Sequence, residues 1–238
     1  MGSNPLSFSR PPQKLVFQGL LFDMDGTLID STAAVEQHWH SIGKELGVDP
    51  KVILQTSHGR RTIDVLKLIS PEKANWEYVK HMESLIPQLY GADAVEIPGA
   101  RNLLDSLDAH HVPWAIVTSG TSPLVAGWLG VLKLPTPKHL VVAEDVVKGK
   151  PDPTCYAMGR GKLGLEVGAD VLVLEDSPAG IQAGKAAGCK VLGVVTSHTA
   201  EQIVAAGPDW IVRDLRSLKL VVGSEKGVEL EISDALDV

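Results

Sequence analysis

Short apolar runs recur along the chain at 15–22 (LVFQGLLF), 114–118 (WAIVT), 140–143 (LVVA), 171–174 (VLVL), 191–195 (VLGVV) and 210–212 (WIV). Each is followed by polar, charged or glycine residues. Runs this short, rich in Val, Leu and Ile, read as strands buried on both faces. Helix-patterned stretches fall between them at 100–107, 123–129, 153–163, 178–187 and 200–206. Strand alternating with helix points to an α/β fold: a mostly parallel sheet with helices on both faces.

Residues 31–97 break that rhythm. Helical spacing recurs at 33–46, 52–58, 62–69 and 76–89, with no convincing strand pattern. This stretch is expected to be a helical insert that leaves the sheet after the first strand and returns at Pro98-Gly99. The expected organisation is a flexible extension over 1–14, a core over 15–30 and 98–238, and a helical domain over 31–97. After Gly223 the alternation in VELEI predicts a small hairpin around Gly227.

With 238 residues the chain can bury a core and carry an insert. A net charge of −7 with no long basic run disfavours nucleic acid or an anionic membrane as the main partner. A small anionic substrate remains compatible, since a few local cations and a metal can hold one. Cys155 and Cys189 lie in no metal or disulfide spacing and read as buried thiols in a reducing compartment. No apolar run reaches the ~18 residues of a membrane span, and no secretory leader is recognisable. A cytoplasmic monomer acting on a small molecule is expected.

Strands of an open α/β sheet present their carboxyl ends to the ligand crevice. The first run ends in Asp23-Met24-Asp25-Gly26-Thr27, two carboxylates that are costly to crowd together without a cation. The 114–118 run ends in Ser119-Gly120, a hydroxyl and a backbone N–H next to a helix start, suited to phosphate oxygens. The stiff loop Lys148-Gly149-Lys150-Pro151-Asp152-Pro153 could fix Lys150 against anionic charge. The 171–174 run ends in Glu175-Asp176, followed by Ser177-Pro178 at another helix start. Taken singly, each has an ordinary alternative: a helix cap, a surface lysine or an acidic turn. Together they gather carboxylates, a hydroxyl and a lysine at the same end of a parallel sheet, and oxygen ligands of this kind suit Mg²⁺.

The segments GLLFDMDGTLIDS, AIVTSG, KGKPDP and VLEDSPAGI resemble, in order and spacing, the four motifs of the haloacid dehalogenase superfamily. The resemblance is to the branch with a helical cap inserted after the first strand, and it spans about residues 19–212. A closer similarity, through SHGRRT, IPGARNLL, WAIVTSGT, EDSPAGIQAGKAAGCK and GVELEI, is to the fungal glycerol-phosphate and 2-deoxyglucose-6-phosphate phosphatases. The resemblance implies a Rossmann-like three-layer core and a helical cap that would hinge at Asp30-Ser31 and near Pro98-Gly99. It implies Asp23 as nucleophile and Asp25 as general acid and base, with Ser119, Gly120 and Lys150 on the phosphoryl group. Mg²⁺ would be held by Asp23, the Asp25 main-chain oxygen and Asp176, with Glu175 acting through water. Dehalogenases and phosphonate-cleaving members lack an aspartate where Asp25 stands, so an oxygen ester of phosphate is implied.

In caps of this type the loop carrying Ser57-His58-Gly59-Arg60-Arg61-Thr62 reaches over the site, which makes His58 and Arg61 the candidates for substrate recognition. The alternative for either arginine is a surface cation or a partner for a cap acid such as Asp64. Trp39 is assigned to the cap core. Two rival functions stay open: a phosphosugar mutase of the β-phosphoglucomutase type using the same aspartates, and a non-catalytic binder of phospho-ligands.

Overall fold

The computed structural model describes residues 7–57 and 59–237. The chain begins with β1 (Phe8–Arg10), β2 (Gln13–Phe17), β3 (Gly19–Phe22) and β4 (Ile29–Asp30). Helices α1 (Thr32–Leu46), α2 (Pro50–Ser57), α3 (Thr62–Ile69) and α4 (Trp76–Tyr90) follow, and β5 (Val95–Glu96) pairs antiparallel with β4. Then come α5 (Ala100–Ala109), β6 (Trp114–Val117), α6 (Ser122–Leu132), β7 (His139–Val141), α7 (Thr154–Lys162) and β8 (Val171–Glu175). The remainder is α8 (Pro178–Ala186), β9 (Lys190–Val194), α9 (Ala200–Ala206), β10 (Trp210–Val212), β11 (Leu218–Ser224), β12 (Gly227–Ile232) and β13 (Ala235–Leu236).

The central sheet has six strands in the order β10-β9-β8-β3-β6-β7, every neighbouring pair parallel. Its strands are buried on both faces, and their period of two sorts the side chains between two cores. Leu20, Phe22, Ile116, Leu172 and Leu174 join one cluster with Leu104 of α5 and Trp128 of α6. Leu21, Val117 and Val173 join the other with Tyr156 of α7 and Ile181 of α8. The three-layer α/β core expected from the sequence is therefore present. The chain runs outward from β3 through β6 and β7, then returns to β3's other side with β8. This makes β3 the switch point, where the strand ends open a crevice.

Between β4 and β5 the helices build apolar clusters of their own, one around Trp39, Ile42, Ile53 and Val65 and one around Ile63, Leu66 and Val79.

The run 15–22 is two strands in different sheets rather than one. The break falls at Gln18, whose N–H donates to the Asp170 carbonyl (2.7 Å) while its side-chain oxygen accepts from the Asp170 N–H (3.0 Å). Apolar residues on both sides hide such a change of sheet. The flexible extension expected over 1–14 is also corrected for the described residues. β1 pairs with β13, and β2 pairs with β12 and so widens the anticipated β11–β12 hairpin to three strands. Their partners lie at the far end of the chain, so local composition, polar and proline-bearing, does not report them. Cys155 and Cys189 are buried free thiols. No helix among the described residues is long and apolar enough to cross a membrane.

Candidate active site

The carboxyl ends of β3, β6 and β8 bring Asp23, Ser119 and Asp176 to the wall of one cavity, which offers about 90 Å³ of open space. Lys150 enters from the loop before α7 and is buried beneath it. Its Nζ donates to Asp23 Oδ1 (2.5 Å), Glu175 Oε1 (2.7 Å) and the Val117 carbonyl (3.2 Å), and lies 5.0 Å from the centre of the Tyr156 ring. Tyr156 donates its hydroxyl to Glu175 Oε1 (2.9 Å). The other carboxylate oxygen of Glu175 accepts from Asp176 N–H, Ser177 N–H and Ser177 Oγ at 2.9–3.0 Å.

Asp23, Glu175 and Asp176 each offer an oxygen within 4.8 Å of the others. All three are buried, facing one lysine. Burial pushes the Asp23 carboxyl well up from its ordinary range; Lys150 opposes this, and Glu175 and Asp176 add to it. Asp176 is pushed up to about 7, first by burial and then by Glu175, against its hydrogen bonds from Ser197 and Thr27. Burial would lower Lys150, but Asp23 and Glu175 outweigh it and hold it as an ammonium. A buried cluster with more carboxylates than cations, made only of oxygen donors, fits a hard divalent ion. Asp23 Oδ1 accepts from Lys150, Asp176 accepts from the Thr27 and Ser197 hydroxyls, and both oxygens of Glu175 are occupied by Lys150, Tyr156 and the donors of the β8–α8 turn. That occupancy makes Glu175 the residue that positions Lys150 and the β8–α8 turn.

Gly26 makes this geometry possible. Its φ is +91°, and a Cβ there would lie 2.1 Å from Asp176 Oδ2. Asp25, half-buried, accepts at Oδ1 from Ser31 Oγ (2.6 Å) and Trp128 Nε1 (3.0 Å). Burial raises its proton affinity against those two bonds. No donor among the described residues is recorded on Oδ2.

Several expectations change here. The Gly120 N–H, expected to be free for phosphate, donates to Thr118 Oγ1 (2.9 Å), and Ser119 Oγ donates to the Gly59 carbonyl of the insert (2.9 Å). Arg61 does not line the cavity. Its guanidinium reaches Asp64 and the carbonyls of Ala143, Val146 and Val147, so it ties the insert to the β7–α7 loop. Its neighbour Arg60 lines the cavity instead. His58 lies outside the described residues. Trp39 belongs to the insert's core and also shows a face to the cavity.

Trp128, Tyr156 and Glu83 were not singled out from the sequence, and Ser31 and Thr27 appeared there only as a hinge position and a motif member, with no contact to Asp25 or Asp176 foreseen. For Glu83 a signal existed. It sits four residues after Val79 and three before Ile86, an acid on the apolar stripe of α4. Glu83 is buried and accepts from the Thr121 N–H (2.7 Å), bridging insert and core. Burial pushes it up to about 7, against its hydrogen bonds from Thr62 and Thr121 and helped by the charge of Asp25. A carboxyl raised from 4.5 contributes its full stability below that pH and loses it as pH climbs through about 7. Glu83→Gln removes this titration. Its stability relative to the wild type is expected to increase by roughly 3 kcal/mol between pH 4.5 and 8, read from urea midpoints. A difference that stays flat across that window would show that Glu83 does not carry the titration.

A sequence profile of haloacid dehalogenase-like hydrolases matches residues 20–194. The chain belongs to this family, as its four strand-end motifs suggested. Glycerol-1-phosphate phosphohydrolase 1 of Saccharomyces cerevisiae is 37% identical over 229 residues, covering 93% of this chain and 92% of that protein. The yeast 2-deoxyglucose-6-phosphate phosphatase 1 is 35% identical over 234 residues, covering 91% and 95%. The crystal structure of a hydrolase from Pseudomonas syringae shares the fold with a TM-score of 0.70 at 25% identity, over 83% of this chain and 94% of that one.

Proposed function

We propose that this enzyme hydrolyses phosphate monoesters of small sugars or polyols in a Mg²⁺-dependent reaction, through an aspartyl-phosphate on Asp23. The observation that carries the reading is Asp23 at the cavity wall with Lys150 at 2.5 Å, beside Asp25 with one carboxylate oxygen uncommitted. The two yeast relatives, phosphatases by name and similar over nine-tenths of the chain, support the substrate class.

In this reading Asp23 attacks phosphorus, and the bond to the alkoxide oxygen breaks as Asp25 gives that oxygen its proton. Burial, which raises the proton affinity of Asp25, suits it to arrive protonated. Ser31 and Trp128 hold one of its oxygens, leaving the other to carry the proton. Asp25 then takes a proton from water, which attacks the acyl-phosphate, releases phosphate and restores Asp23. Lys150 offsets the charge of the nucleophile and phosphoryl group. Ser119 binds a phosphoryl oxygen by exchanging its bond to Gly59. Asp23, Asp176 and the Asp25 main-chain oxygen would hold Mg²⁺, whose charge would help neutralise the phosphoryl oxygens.

The helices over 31–97 act as a cap that excludes water and limits the substrate to a small molecule. Arg61 and the Glu83–Thr121 bond hold it against the core. The test is phosphate release from glycerol phosphates, hexose and deoxyhexose phosphates and sugar-alcohol phosphates, with Mg²⁺ and with EDTA. Release from at least one neutral ester, lost with EDTA, is expected. Conversion of a hexose phosphate to an isomeric ester without free phosphate would favour the mutase reading.

A further inference from the structure

Two polar atoms in the walls of the active-site cavity are left over by the chemistry described above. His38 and Ser57 both line the cavity and both are buried, 3% and 5% exposed. His38 Nε2 and Ser57 Oγ find no hydrogen-bond partner among the described residues. Buried polar atoms are nearly always paired, because leaving one unpaired costs the full desolvation of the group. Thr121 Oγ1 and Glu144 Oε2 are also unpaired among the described residues, but only His38 and Ser57 belong to side chains that line the cavity, where a ligand group can satisfy them. Both come from the helical insert, His38 from α1 and Ser57 from α2.

The chemistry of the two atoms defines that group. Burial pushes His38 down to about 4, so near neutral pH its imidazole is uncharged. A neutral imidazole nitrogen and a hydroxyl each suit a neutral partner that can both donate and accept, as an alcohol hydroxyl does. Glu83 lines the same cavity from α4 and opposes a second phosphate or carboxylate to the extent that it is ionised, while Arg60 also lines the wall. Val35, Trp39 and Ile86 supply apolar wall for C–H groups.

We infer that His38 and Ser57, with Glu83 beside them, form a subsite that reads neutral hydroxyl groups on the alcohol half of the phosphate ester. This rests on the phosphatase reading and extends it. The core loops hold the phosphoryl end, and the insert selects polyol monophosphates over esters that lack hydroxyls or carry a second anion.

The experiment compares kcat/KM for glycerol 1-phosphate, propyl phosphate and 2-phosphoglycolate on the same protein preparation, so that the ratios do not depend on the folded fraction. Wild type is expected to prefer glycerol 1-phosphate over each of the others by ~10-fold or more. Ser57→Ala, which removes one oxygen, and His38→Leu are each expected to cut the glycerol-to-propyl ratio several-fold, mainly through KM. A wild-type ratio near one, or a ratio unmoved in both variants, overturns the subsite while leaving the phosphatase standing. If p-nitrophenyl phosphate and all three esters yield no phosphate, the phosphatase reading falls, and the subsite with it.

Discussion

Asp23→Asn is expected to lower phosphate release by ~10⁴-fold or more, while the metal-free variant is at least as stable as the wild type. The amide is nearly isosteric with the carboxylate but cannot attack phosphorus. The stability half of the expectation follows from the electrostatics of the cluster. Asp23, Glu175 and Asp176 surround a single lysine, and burial together with the other two carboxylates raises the proton affinity of Asp23. Removing the Asp23 charge relieves that crowding, and Lys150 keeps its bond to Glu175. Active sites commonly store strain of this kind, where function costs stability. Initial rates with Mg²⁺ and thermal midpoints in EDTA check the two halves separately. Retained turnover would reject Asp23 as nucleophile. A large loss of metal-free stability would mean that the Asp23–Lys150 pair outweighs the repulsion.

The sequence exposes the catalytic end of the molecule well, for a physical reason. β3, β6 and β8 are buried on both faces, so each is written as an unbroken apolar run. Polar residues begin where each run stops, which is why Asp23, Ser119 and Asp176 could be placed together at the strand ends, while their roles were implied by the family resemblance. Features that depend on distant partners were hidden. β1 and β2 owe their existence to β13 and β12, more than 200 residues later in register, with Lys14 opposite Glu231. Arg60 and Arg61 are adjacent and chemically alike. Arg61 is the N-cap residue of α3 and bonds the carbonyls of the β7–α7 loop, while Arg60, one residue further from the helix, lines the cavity. Trp128 sits fully buried in an apolar helix, and nothing in its spacing betrays that its indole N–H serves Asp25. His38 shares the buried face of α1 with Ala34, Trp39 and Ile42. A lone imidazole there resembles a core residue until its unpaired nitrogen is seen beside the cavity.

Lys150→Met gives the second large effect, in rate and stability together. Methionine preserves an unbranched apolar stem but removes the ammonium that reaches Asp23, Glu175 and the Val117 carbonyl. Preorganised charge at a phosphoryl centre supports a rate loss of ~10³-fold. Stability should also fall, because deleting one partner of a buried ion pair strands the others. The deficit is about 3 kcal/mol when Asp23 is ionised. Tyr156 and the Asp176 and Ser177 N–H groups still satisfy Glu175, so the stranded charge is mainly that of Asp23. Its folded-state proton affinity is already raised, and losing Lys150 removes the largest influence opposing that shift. A carboxyl raised in the folded state stabilises fully below its unfolded pKa of about 4 and loses that contribution as pH rises. The deficit of Lys150→Met should therefore be small near pH 4 and widen toward pH 8. Urea midpoints of both proteins in EDTA across that range measure it. A deficit independent of pH would place the loss in packing against Tyr156 rather than in the uncompensated carboxylate.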